Sequence, residues 1–86
     1  MIRHIELGLN DAERRKNLSK MIHNEAIALG GHRKARIYGL LSCPSGKRMK
    51  IENRVFFRDE TEAVAAGFRP CGRCRPIAYT KWKAKH

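Results

Sequence analysis

The sequence lacks several features that would define common classes of protein. Three of its 86 residues are cysteine, and an odd number cannot all be paired in disulfides, which argues against a disulfide framework. No apolar run approaches the roughly 18 residues that a membrane-spanning helix needs, and no apolar core of a signal peptide stands near the N-terminus. These absences argue against a secreted disulfide scaffold and a membrane protein. We therefore expect a soluble, cytoplasmic protein.

Acidic residues are also scarce. The chain has 8 Asp and Glu against 19 Lys and Arg, which gives a formal net charge of +11. The excess is concentrated, because residues 32–86 carry 14 of the basic and 4 of the acidic groups. A charge far beyond what solubility requires predicts a polyanionic partner, and nucleic acid is the first candidate.

Length predicts one domain of limited intrinsic stability. At 86 residues the buried apolar surface gives only a marginal free energy of unfolding, so a metal ion or a partner often contributes. Periodicity and turn residues predict helices over residues 11–28 and 60–66, strands over 35–41 and 51–58, and a C-terminal helix opened by Pro76. We expect an α+β fold, a small zinc-stapled domain with a short β-sheet flanked by helices. Residues 1–31 would form an N-terminal helical extension and residues 32–86 the metal-binding domain, in one compact unit.

The cysteines are spaced as metal ligands. Cys71 and Cys74 form a C-x-x-C turn, and Cys43 would supply a third ligand from a distant element of the chain. A redox dithiol fits less well, since such motifs begin a helix in a larger α/β fold. The fourth ligand is open: it is a histidine, a water or nothing. His32 is the best histidine candidate because it precedes the strand that leads to Cys43, ahead of His4, His23 and the terminal His86.

Basic residues surround both cysteine segments. Lys47, Arg48 and Lys50 follow Cys43, and Arg54 extends this run. The C-x-x-C turn is flanked by further arginines, among them Arg73 and Arg75. These six side chains are the predicted phosphate contacts, which depend little on base sequence.

A nucleotide-hydrolysing loop is excluded. Ser45-Gly46-Lys47 resembles the end of a phosphate-binding loop, but Leu41 stands where that motif requires its first glycine. We therefore expect no nucleotide cofactor.

Three stretches of the chain closely resemble one family. Residues 37–44 (IYGLLSCP), 52–57 (ENRVFF) and 63–76 (AVAAGFRPCGRCRP) are similar to the zinc-binding N-terminal domain of Ada, a family that repairs methylated DNA phosphotriesters. The resemblance covers residues 33–83. It implies a Zn²⁺ ion held by Cys43, Cys71 and Cys74, and duplex DNA as the partner.

The chain departs from the family at one position. The family pattern has four cysteines, of which the second, third and fourth fall on Cys43, Cys71 and Cys74, while the first falls on Gly39. In the family that first cysteine accepts the methyl group. Four thiolates give zinc an excess of negative charge that makes a sulfur nucleophilic, and replacing one by a neutral ligand lowers this nucleophilicity.

We therefore expect a zinc- and DNA-binding module without methyl-acceptor activity. Two alternatives stay open. One is a stoichiometric methyl acceptor in which Cys43 has taken over the reaction. The other is a module that binds RNA or protein through the same basic surface, because phosphates offer the same charge in RNA and DNA.

Overall fold

The strongest strand signal of the sequence forms the centre of the protein. In the computed structural model, which describes residues 1–42 and 49–85, the apolar run after Glu52 becomes strand β4 (Arg54–Phe57). Val55, Phe56 and Phe57 are completely buried. A strand that is buried on both faces reads as a continuous apolar run, which explains why this prediction is confirmed.

Four short strands join β4 in a single sheet. They are β1 (Ile2–Arg3), β2 (Leu29–His32), β3 (Ile37–Leu40) and β5 (Arg69–Pro70), and the order across the sheet is β1-β4-β2-β3-β5. The β3–β5 pair is parallel, and the other pairs are antiparallel. The β2–β3 hairpin pairs Gly30 with Gly39, and this register places the two glycines on the same face of the sheet.

Three helices of the described residues flank the sheet. They are α1 (Asp11–His23), α2 (Glu60–Ala65) and α3 (Pro76–Lys85), and 3-10 turns cover His4–Leu7 and Ile51–Asn53. Asn10 and Asp59 cap α1 and α2, because each side chain accepts a hydrogen bond from the amide three residues later. After α2 the chain turns at Gly67, whose φ of +85° lies in the region that favours glycine. The expected α+β domain with a short sheet between helices is confirmed.

One face of the sheet packs on α2. The core cluster there contains Leu29, Tyr38, Val55, Phe57, Ala63 and Phe68. The rings of Phe57 and Phe68 meet edge to face with centroids 4.9 Å apart, a favourable aromatic geometry. The opposite face carries Gly30, Gly39 and Phe56, and the ring of His4 packs edge-on against Phe56 at 5.5 Å.

The chain differs from its predicted elements before the hairpin. The helix expected over residues 11–28 ends at His23, and Glu25 adopts a left-handed conformation with φ of 59°. The Gly30-Gly31 pair, which we interpreted as the end of that helix, lies inside β2. A Cβ at Gly31 would lie 2.9 Å from the Ile37 carbonyl oxygen and 3.0 Å from the Phe57 ring. Glycine therefore serves close packing here and does not end a helix.

The remaining boundaries shift by a few residues. Strand β4 begins at Arg54 instead of residue 51, and the helix over residues 60–66 is found as Glu60–Ala65. The expected division between residues 31 and 32 falls within β2, and β1 pairs with β4, so one sheet includes residues from both sides of it. No helix in the described part of the chain is long and apolar enough to span a bilayer.

Candidate metal centre and basic surface

The C-x-x-C segment is held as a tight turn between β5 and α3. Pro70 keeps the preceding chain extended, and the Cys71 amide donates a 2.7 Å hydrogen bond to the Tyr38 carbonyl of β3. The Arg75 amide then donates to the Cys71 carbonyl at 2.9 Å, which closes the turn. The tip is packed as well, because a Cβ on Gly72 would contact the Tyr79 ring at 3.3 Å. Both thiols are thus presented by a fixed backbone.

Position 39 faces the two cysteines directly. A Cβ built on Gly39 would lie 2.5 Å from Cys74 Sγ and 3.2 Å from Cys71 Cβ. The next amide, that of Leu40, donates a hydrogen bond to Cys74 Sγ at 3.3 Å. The side-chain direction at position 39 therefore converges with both cysteines, although glycine brings no ligand atom there.

The donor set at this turn fits zinc. Two thiols at C-x-x-C spacing are the soft ligands that structural zinc sites use, and a backbone amide that donates to a ligand sulfur is a typical supporting contact. Cys43, the third predicted ligand, lies outside the described residues. Within residues 1–42 and 49–85, no three His, Cys, Asp or Glu side chains gather closely enough to hold a metal ion.

His32 shares the sheet face of Gly39 but is engaged in its own turn. Its partners in the register are Ile37 and Arg54, which places it two residues along the hairpin from Gly39. Its Nδ1 accepts a 3.1 Å hydrogen bond from the Ala35 amide, so Nε2 is the nitrogen left for a metal. His32 and Cys71 line one cavity of about 190 Å³ together with Gly39. No three metal-ligating side chains of the described residues come close enough to share an ion, so the role of His32 as a ligand stays a prediction.

His4 and His23 lie apart from the cysteine turn. His4 packs on Phe56, His23 is exposed at the end of α1, and His86 lies outside the described residues. Burial, followed by the charges of Arg54 and Arg14, lowers the pKa of His4 below its ordinary value.

The four predicted phosphate contacts that the structure describes fall into two groups. Lys50 and Arg73 are exposed, and Lys47 and Arg48 lie outside the described residues. Arg54 and Arg75 are partly buried and have partners, which we describe next.

Arg54 packs its guanidinium over the Phe56 ring, 5.2 Å from the centroid. Burial lowers the pKa of this side chain, yet an arginine stays charged over the whole physiological range. The contact fixes the position of a positive charge beside the sheet face that carries Gly39.

Arg75 belongs to a network that the sequence did not reveal. Its guanidinium forms an ion pair with Glu60 at the start of α2, and the same carboxylate is close enough to buried Tyr38 to affect the pKa of its hydroxyl. Burial first, and then the charge of Glu60, raises the pKa of Tyr38. The network joins β3, α2 and the residue after Cys74. The sequence gives no signal for this network, because Tyr38 and Glu60 are distant in the chain and come close only in the folded protein.

The fold and site together define a small α+β metal-binding domain with a cysteine turn. A family model described as the metal binding domain of Ada matches residues 19–76, and the chain therefore belongs to this zinc-binding family. The resemblance found in the sequence is confirmed.

A solved structure supports the same assignment. The DNA methyl phosphotriester repair domain of E. coli Ada is similar to this chain with a TM-score of 0.53 and 33% sequence identity, over 83% of this chain and 77% of that one. None of the curated proteins matches the chain significantly. Residues 1–18, which include β1 and the first part of α1, lie outside the family match.

Proposed function

We propose that this protein is a zinc- and DNA-binding module of the Ada type that does not accept methyl groups. One observation carries the proposal: the Cβ direction at Gly39 ends 2.5 Å from Cys74 Sγ. The position that holds the acceptor thiol in the family therefore faces the cysteine pair here, but it has no side chain. The scaffold is retained while the nucleophile is absent.

Zinc would stabilise this scaffold. The residues to hold it are Cys71 and Cys74 with Cys43, and a bound Zn²⁺ would keep the thiols ionised and tie the turn to the rest of the domain. The backbone contacts of Cys71 with Tyr38 and of Cys74 with Leu40 already place these side chains against β3. With fewer thiolates than the family pattern, the sulfurs would be weaker nucleophiles.

DNA binding is supported by the distribution of charge. The chain carries +11 overall, and Lys50 and Arg73 are exposed while Arg54 is fixed over Phe56 beside the face of Gly39. Such groups release condensed counterions when they contact phosphates, and this favours binding to any base sequence. Arg75 contributes less in this proposal because Glu60 already neutralises it.

Binding to a duplex of random sequence tests the first half of the proposal. For about four phosphate contacts the affinity should fall about 100-fold when salt rises from about 50 to about 200 mM, since each contact contributes about −0.9 to the logarithmic slope. Lys50→Ala and Arg73→Ala should each reduce that slope by about one. Arg15→Ala on exposed α1 is the matched control and should leave the slope unchanged. An affinity independent of salt, or stronger binding to structured RNA than to the duplex, would contradict DNA binding through this surface.

A methyl-transfer assay tests the second half. The zinc-loaded protein is incubated with an oligonucleotide that carries a labelled methyl phosphotriester, and we expect no label on the protein. Stoichiometric labelling that disappears in Cys43→Ser would show instead that Cys43 accepts the methyl group. The proposal that the protein lacks acceptor activity would then be wrong.

A further inference from the structure

A second feature of the site is an open groove between α2 and α3. Cys74 is among its lining residues, and its volume of about 600 Å³ lies within the range of pockets that hold small ligands. Its apolar wall includes Val64, Pro70, Ile77 and Trp82. Ile77 is 74% exposed and Val64 is 56% exposed. Single exposed apolar side chains are common, but these two border the same groove and extend its apolar wall into solvent.

The rim of this groove is positively charged. Lys81 and Lys85 line it together with Ile77, and their spacing of four residues places all three on one face of α3. The carboxylate of Glu60 also lines the groove, but it is neutralised by the ion pair with Arg75. The groove therefore combines an apolar wall with cations and suits a ligand that has both a flat apolar part and negative charge.

The indole in the wall is held in a fixed orientation. Trp82 stacks on Tyr79 with an angle of 28° and a centroid distance of 6.0 Å. The Arg69 guanidinium lies 5.4 Å from the Tyr79 centroid and 5.6 Å from that of Trp82. A fixed aromatic ring beside cations is the arrangement with which proteins bind unstacked bases of a nucleic acid strand.

We propose that this groove binds an unpaired nucleobase of a bound DNA strand. The base lies against Trp82 and Ile77, and Lys81 and Lys85 contact the adjacent phosphates. A paired base inside a duplex cannot enter, because its faces are covered by its neighbours. The inference rests on the proposed DNA binding and specifies its substrate: a strand with an unpaired or flipped base whose backbone passes the cysteine turn at Cys74.

The single tryptophan of the chain reports on this groove directly. We would titrate the zinc-loaded protein with oligothymidylate and with an abasic strand of equal length, which has the same phosphates but no bases. Stacking of a base should quench the emission of Trp82 only with oligothymidylate. A duplex with one unpaired thymine should also bind about tenfold more tightly than the intact duplex, the gain that stacking one base provides.

Matched variants separate the groove from general charge. Ile77→Ser should abolish the preference for the unpaired thymine and should not affect folding, since the side chain is 74% exposed. Leu9→Ser, at a residue that is 94% exposed before α1, should retain the preference. Equal affinity for both duplexes with unchanged Trp82 emission, or equal quenching by the abasic strand or an acidic peptide, would overturn the inference while salt-dependent duplex binding stands. Loss of binding to every duplex would instead overturn the proposed function.

Discussion

Restoring a thiol at position 39 is the most direct test of the interpretation of this site. In Gly39→Cys the new Cβ would point at Cys74 Sγ, which lies 2.5 Å from that Cβ position. The contact is too short, but Sγ is the terminal atom of a side chain with one rotatable bond. A rotation of Cys74 about its Cα–Cβ bond would relieve it, and the new thiol would then stand beside the two cysteines of the turn. Zinc bound by these cysteines would gain a further thiolate ligand.

The expected change in zinc affinity follows from two opposing contributions. Zinc contributes about 10–16 kcal/mol to the stability of small zinc domains, or about 3 kcal/mol for each of four ligands. Crowding of a packed site costs about 1–2 kcal/mol when the neighbour is able to move. The net gain is about 1–2 kcal/mol, so we expect Gly39→Cys to bind zinc about five- to thirtyfold more tightly than the wild type.

Competition with a chromophoric chelator measures this change, and Gly39→Ala is the control. Alanine adds the same Cβ contact without a sulfur, so it should weaken zinc binding and lower the free energy of unfolding by about 1–2 kcal/mol. If Gly39→Cys and Gly39→Ala change zinc affinity equally, position 39 adds no ligand and our account of the departure from the family is wrong. Label transfer from a methyl phosphotriester to Gly39→Cys alone would further identify the missing thiol as the acceptor.

Three further predictions concern stability. The pKa of His4 in the folded protein lies below its unfolded value of 6.5, because of burial and the charges of Arg54 and Arg14. As the pH falls, the unfolded chain therefore takes up the proton first. Urea melts should show a free energy of unfolding that is constant above about pH 6.5 and declines below it. Gly31→Ala, whose Cβ would lie 2.9 Å from a carbonyl oxygen of β3, should lower the free energy of unfolding by about 1–3 kcal/mol in urea titrations. Removal of zinc by a chelator should unfold the domain, as followed by NMR, because a chain of this size has a small core.

Each of these predictions has a control. His4→Gln should remove the part of the pH dependence of stability that His4 causes. If the stability of that variant declines equally below about pH 6.5, other groups cause the decline. Gly30→Ala is the control for Gly31→Ala in the same strand. Its Cβ would lie 3.7 Å from the nearest atom, which is an ordinary van der Waals distance. Equal destabilisation by the two alanines would show that glycine is needed for strand geometry and not for close packing. A chain that stays folded without zinc would mean that the apolar core suffices.

The elements that the sequence predicts best are those with local signals. The Asp59 cap, the alanines of α2 and Gly67 after it all act within a few residues, and the helix is found where expected. Strand β2 was missed because Gly30-Gly31 carries no side-chain periodicity, and its strand conformation comes from pairing with β3 and β4. Strand pairings between distant segments carry no comparable local signal.

In the candidate site, too, the features with local signals could be predicted and those that depend on distant segments could not. The C-x-x-C spacing and the surrounding glycine and proline predict a metal-binding turn from local residues, and the likeness to the family indicates that position 39 faces it. The Tyr38–Glu60–Arg75 network depends on β3, α2 and the turn meeting in space, which no spacing in the sequence encodes. The stacked pair Tyr79 and Trp82 is the exception, since a spacing of three residues on a helix predicts contact.

The geometry at position 39 also explains how the family scaffold accommodates a glycine there. The contacts that place the C-x-x-C turn are made by backbone atoms of β3: the Tyr38 carbonyl holds Cys71, and the Leu40 amide holds Cys74. Neither contact uses the side chain of residue 39, so its loss does not remove the support of either remaining cysteine. A side chain at position 39 is therefore not needed to place the turn. Glycine at this position is compatible with the fold of the family, and this is what the proposed function requires of the domain.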